Sequence, residues 1–150
     1  MEFGGSEYMH ASKVEVFNFI TDAKHFSSGI PDIQSIRMAG PDKFSVTARL
    51  GISAIRSTFD IDFESIERKE SNHVKLLGHG MGGGSALDLE ITIDLQEQGS
   101  DTVLKWTTVV RVSGTLAVLG QRVLGAVADR FVNEVFARIR AGLETSDAHD

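Results

Sequence analysis

The segment from Ser113 to Leu143, SGTLAVLGQRVLGAVADRFVNEVFARIRAGL, limits what this chain can fold into more than any other stretch. It follows a series of strand-like stretches and reads as one long helix, apolar around well over half its circumference. Projected at ~100° per residue, Arg122, Asp129, Asn133 and Arg140 gather on one narrow polar side. Leu116, Val123, Leu124, Val127, Phe131, Val135 and Ile139 take the opposite side, widened by Ala128 and Val132. Roughly 30 residues at ~1.5 Å rise span ~45 Å, the width of a small domain. A stripe this wide must be covered by something broad and apolar.

The rest of the chain supplies that cover. From Ile33 to Val112 the hydrophobic period is two. Phe44, Val46, Ala48 and Leu50 alternate with polar residues, as do Phe59, Ile61 and Phe63 with Asp60, Asp62 and Glu64. Leu87, Leu89, Ile91, Ile93 and Leu95 follow the same rule, then Leu104, Trp106, Thr108, Val110 and Val112. Such alternation marks antiparallel strands with one dry and one wet face. Pro41-Asp42 and Gly99-Ser100-Asp101 read as turns. Before this region, Met1 to His10 reads as a weak strand with Phe3, Gly5, Glu7 and Met9 on one side. Ser12 and Glu15 form a capping box that opens a short helix with Val14, Phe17 and Ile20 on one face. A second helical turn runs from Ala23 to Ser28 and ends before Pro31. The expectation is an α+β fold over residues 1–150 as a single domain: about seven strands in a curved antiparallel sheet around the long helix, two short helices after the first strand, and a frayed tail from residue 144. Curvature can leave an apolar gap between sheet and helix, the usual form of a small-molecule site.

Composition narrows the function classes. With no cysteine, thiolate metal sites, disulfides and cysteine nucleophiles are excluded. A net charge of −6 with no basic patch argues against nucleic acid. No apolar run reaches the ~18–20 residues of a membrane span, and the first ten residues do not read as a signal peptide, so a cytoplasmic location is the default.

Few residues favour chemistry. Gly78-His79-Gly80-Met81-Gly82-Gly83 fits the dinucleotide-binding glycine pattern in letters, but a strand follows it where a helix N-terminus is required. A glycine-rich hairpin or bulge, or a flexible portal, fits better. His10, His25, His73, His79 and His149 have no ligand-like spacing; His73 reads as a turn residue, His149 as tail, and His79 stays open. The strand acids take outward parity. Glu7 alone takes inward parity, which fits a rim carboxylate or a functional one. Trp106 and Thr108 face inward on the last strand, as core residues or as the polar contacts of a pocket. No catalytic residue, metal ligand or cofactor is expected.

The stretch SGTLAVLG, continuing through QRVLGAVADRFVNEVFARI, resembles the CoxG-like family of carbon monoxide dehydrogenase proteins. ASKVEVFNFITDAKHFSSGIPDIQSI is similar to that family's opening motif, and LLGHGMGGGSALDLEI to its glycine-rich strand pair. Phe17 stands where the family commonly has tryptophan, Asp32 where glycine is usual, and Ile52 where proline is frequent. The resemblance implies the helix-grip fold of the START-like superfamily (SRPBCC). It also implies a non-catalytic accessory role beside molybdenum-containing CO dehydrogenase-type enzymes, through membrane association or handling of a lipid or quinone. Some members carry a membrane-anchoring extension, for which this chain ends early; peripheral contact with the inner membrane face stays open.

Parity and resemblance together point to a carrier or adaptor for a hydrophobic lipid or quinone. The expected lining is Phe59, Ile61, Phe63, Leu89, Ile91, Trp106, Thr108, Val123, Val127 and Phe131. The alternatives are a cyclase, dehydratase or hydrolase on the same fold, which needs inward ionisable groups, and an interaction module with a filled core.

Overall fold

Alternating hydrophobicity leaves each strand one face to bury, and the chain satisfies that demand with one sheet. The computed structural model describes residues 1–52 and 55–147. Strand β1 (Glu2–Met9) leads into helices α1 (Lys13–Thr21) and α2 (Ala23–Ser28). A meander follows: β2 (Ile33–Gly40), β3 (Lys43–Ile52), β4 (Ile55–Lys69), β5 (His73–Gly82), β6 (Ser85–Gln98) and β7 (Asp101–Gly114). A 3₁₀ turn (Thr115–Leu119) and helix α3 (Gly120–Asp147) come last. The seven strands pair antiparallel in the order β1-β7-β6-β5-β4-β3-β2. The two free edges therefore belong to β1 and β2, which are consecutive in sequence and joined across the sheet by α1 and α2.

Local chemistry explains the helix ends. Ser12 Oγ accepts from the Glu15 amide at 3.2 Å and caps α1. Asp22 Oδ1 accepts from the His25 amide at 3.0 Å and caps α2. Asp32, just past Pro31, adopts φ 54°, a left-handed conformation that explains why glycine suits this position.

The strand parities hold. Phe44, Val46, Ala48, Phe59, Ile61 and Phe63 are buried, while Asp60, Asp62 and Glu64 are exposed. The core has two parts. One joins α1 to the far half of α3, with Phe17, Phe19, Leu104, Phe136, Ile139 and Leu143. The other lies under β3 and β4, with Phe44, Phe59, Phe63 and Leu116.

The structure corrects several expectations. The long helix does not begin at Ser113. Gly114 and Gly120 both sit at φ 83°, outside helical geometry, so Ser113 and Gly114 finish β7 and a 3₁₀ turn intervenes. A Cβ on Gly114 would lie 2.1 Å from the Gly84 carbonyl oxygen, so only glycine fits there. Ser85 Oγ steadies the turn by accepting from the buried Leu116 amide at 2.9 Å. At the other end α3 runs on to Asp147, through residues expected to fray; residues 148–150, including His149, lie outside the described residues. Val14 is 56% exposed, and α1 buries Val16, Phe17, Phe19 and Ile20 instead. His73 opens strand β5 rather than a turn.

This packing has two testable consequences. A Cβ on Gly142 of α3 would meet the Phe19 ring at 2.5 Å, and Phe19 is itself buried. Gly142→Ala gains about 1 kcal/mol of helix propensity but overpacks this crossing by roughly 1–3 kcal/mol. Urea unfolding is expected to show a net loss of about 1 kcal/mol. The second concerns His73, whose Nδ1 lies 2.6 Å from Asp94 and Nε2 2.9 Å from Glu67. These hydrogen bonds, Asp94's first, hold the imidazole pKa above its ordinary 6.5. The stabilisation is complete below the unfolded-state pKa and is lost as pH rises through the raised folded-state value. Urea midpoints of the wild-type chain should fall across that window, and those of His73→Gln should fall less.

Candidate ligand-binding site

Sheet and helix meet tightly only at the far half of α3. Toward its N-terminal half they stand apart, and a chamber of about 290 Å³ lies between them. Its walls are the inner faces of β4, β6 and β7, the α3 residues Leu124, Val127 and Phe131, and Phe26 and Ile30 from the α2 region. Phe26 stands edge-on to both Phe44 and Phe63, at 6.0 and 5.6 Å between ring centroids. Those two rings stack at 5.1 Å. This aromatic group fixes one side of the chamber.

Beneath it, β5 contributes bare backbone. A Cβ on Gly78 would lie 3.0 Å from the Phe63 ring, and one on Gly80 would lie 3.2 Å from Ile61. The glycine-rich motif is thus the end of a strand and a turn. Gly78 and Gly80 make room for the side chains of the neighbouring strand, and Gly83 and Gly84 turn the chain at φ 57° and 76°.

Of the ten residues expected to line a pocket, Ile61, Phe63, Leu89, Ile91, Trp106, Thr108, Val127 and Phe131 border this chamber. Phe59 and Val123 do not, contrary to expectation. Phe59 faces inward but is 1% exposed, sealed within the second core cluster that includes Leu116. Val123 is 39% exposed. Residues four apart drift by ~40° around a helix, so the stripe centred on Val127 and Phe131 leaves Val123 at its margin. Phe26 and Ile30 escape the sequence pattern, because periodicity assigns no partner to a helix as short as α2. Leu50, Leu87 and Leu124 also line the chamber; their inward parity is legible without showing which part of the core stays open.

The electrostatics are one-sided. Among the described residues, none that lines the chamber carries an ionisable side chain, and only Trp106 and Thr108 offer side-chain polar groups. Trp106 Nε1 is buried and has no hydrogen-bond partner. Glu7, the one inward acid, is tied to Arg140 of α3 by a short ion pair, which joins β1 to the helix. His79 lies on the outer face, 2.7 Å from Asp88. That outer face holds a larger open concavity of about 690 Å³, lined by Asp62, Glu64, Asp88, Glu90, Lys43 and Arg111 among others. Its polar groups pair across strands, as in Ser45 with Asp62 and Lys75 with Glu90. It is a wet surface, and the dry chamber is the better ligand site. Among the described residues no group of three or more His, Asp or Glu could hold a metal ion.

The sequence profile of the carbon monoxide dehydrogenase CoxG family matches residues 5–144. Among solved structures, a conserved protein from Geobacillus kaustophilus is 30% identical, with a TM-score of 0.91 and 97% of each chain covered. A START superfamily protein from Mycobacterium smegmatis is 12% identical, with a TM-score of 0.75 over 96% of this chain and 97% of that one. An aromatase/cyclase from a Streptomyces species is 11% identical, with a TM-score of 0.67 over 96% and 93%. The last two share the fold: the curved sheet and long helix form a START-like helix grip. No curated protein sequence matches the chain.

An open chamber tolerates added volume where a filled core does not. Val127→Phe places a ring in the gap, so its thermal midpoint is expected to stay within about 2–4 °C of wild type. A fully packed site would lose roughly 1–3 kcal/mol to the same substitution.

Proposed function

The chain belongs to the CoxG family of carbon monoxide dehydrogenase proteins, and from that premise we propose that it is a carrier or adaptor holding a lipid or quinone between sheet and helix. The observation that carries this reading is the chamber itself: about 290 Å³, walled by aliphatic and aromatic side chains, with no ionisable group on its lining. Burial of apolar ligand surface at ~25 cal/mol per Å² supplies the affinity. The family's name supports a working place beside a CO dehydrogenase-type enzyme, to which the chain delivers its ligand or from which it collects it. Among the described residues no helix is long and apolar enough to cross a membrane, so exchange with a bilayer proceeds by peripheral contact in this reading.

An enzyme of the cyclase, dehydratase or hydrolase type needs a proton donor or acceptor facing the substrate. Glu7 is the candidate that strand parity offers, and its engagement by Arg140 favours a structural part for it. A pure interaction module accounts less well for an unfilled chamber at the centre of the grip.

Mass spectrometry of solvent extracts from the purified protein tests the carrier reading. A stoichiometric lipid or quinone is expected. A protein that carries nothing and also takes up no added quinone or lipid ends the proposal.

A further inference from the structure

We propose that Trp106 selects the chamber's occupant by donating its indole N–H to a neutral hydrogen-bond acceptor on an otherwise apolar molecule; this rests on the carrier reading above. Buried donors in native proteins are almost always paired, so an orphan calls for a partner that is absent from the chain itself. Trp106 Nε1 is such an orphan. Its ring borders the chamber and packs at 5.6 Å against Phe136 of α3, which holds the indole from the helix side. On the opposite side lies Gly5 of β1, the residue that pairs with Trp106 in the sheet. A Cβ there would sit 3.1 Å from Nε1. The nitrogen therefore rests over bare backbone, with no side chain at Gly5 to satisfy it. Donation requires the ring to tilt off Gly5 toward the chamber. Thr108, two residues along the same face of β7, brings a hydroxyl to the same wall.

The chemistry of the lining defines the ligand class. A carboxylate or ammonium inside would be desolvated with no counter-ion, which excludes a charged head. A pure hydrocarbon fills the space but leaves the indole N–H unpaired. A ketone, quinone or ester carbonyl on an apolar body gives that N–H an acceptor. Selection for a neutral acceptor thus comes from relief of a defect present in the empty protein.

Trp106 is the single tryptophan of the chain, so its emission reports on this site alone. Displacement of N-phenylnaphthylamine by methyl nonyl ketone, by undecane and by undecanoate at neutral pH tests the proposal in wild type and Trp106→Phe. The ratio of ketone to alkane affinity is expected to fall about fivefold in the variant, while alkane affinity is retained. Undecanoate should be the weakest of the three in both proteins. Ketone, but not undecane, should shift the wild-type tryptophan emission, a readout that does not depend on the variant folding. An unchanged ketone-to-alkane ratio, or an emission that responds equally to both, overturns the assignment and leaves the N–H to an internal water. Failure of the wild type to bind dye, ketone and alkane alike sinks the carrier reading, and this inference with it; ketone and alkane binding without discrimination sinks the inference alone.

Discussion

Everything in this structure depends on the mismatch between a straight helix and a twisted sheet. The α3 stripe must be removed from water along most of its length, and the inner face of the sheet must be covered by something. A helix lies against a curved sheet closely in one place and diverges from it elsewhere. Here contact is close around Phe136, Ile139 and Leu143, where α1 adds Phe17 and Phe19 to the packing. The divergence falls around Leu124, Val127 and Phe131 and becomes the chamber. Anchorage and vacancy are thus two ends of one helix.

Charge placement reinforces that division. Outward-facing polar and charged residues on β4, β5 and β6 keep the sheet's convex side wet, and cross-strand partners such as His79–Asp88 and Lys75–Glu90 neutralise part of the charge. The energetic cost of this arrangement is small, since exposed pairs contribute little either way. Its effect is to leave the interior without ionisable groups, so recognition inside rests on shape and on two polar side chains. The ion pair from Glu7 to Arg140 lies where β1 meets the helix and closes the grip instead of serving the chamber.

Much of the fold is legible in the sequence because period-two alternation is hard to satisfy in any other way. Phe59, Ile61 and Phe63 face inward as their spacing requires, and so do Leu89, Ile91 and Trp106. What alternation does not encode is where packing stops. Phe59 and Ile61 share a parity, yet one is sealed and the other borders open space, because that difference arises from residues brought over by the 3₁₀ turn and α2. The helix boundary escapes the pattern for a local reason: Gly114 and Gly120 read as tolerable glycines in a helical stretch, whereas each occupies a positive-φ conformation. Trp106 reads from sequence as core or pocket. Its missing partner becomes visible only with Gly5 placed beneath it.

The pairing of β1 with β7 sets an order in time as well as in space. Met1 hydrogen-bonds to Val110 across a sequence separation of 109 residues. On a growing chain, β1 therefore has no strand to pair with until nearly the whole sheet has been made, and the meander from β2 onward can assemble ahead of it. Such non-local closure carries a large loop entropy and slows folding. The strand that seats Gly5 under the tryptophan is thus among the first residues synthesised and among the last to be locked in place.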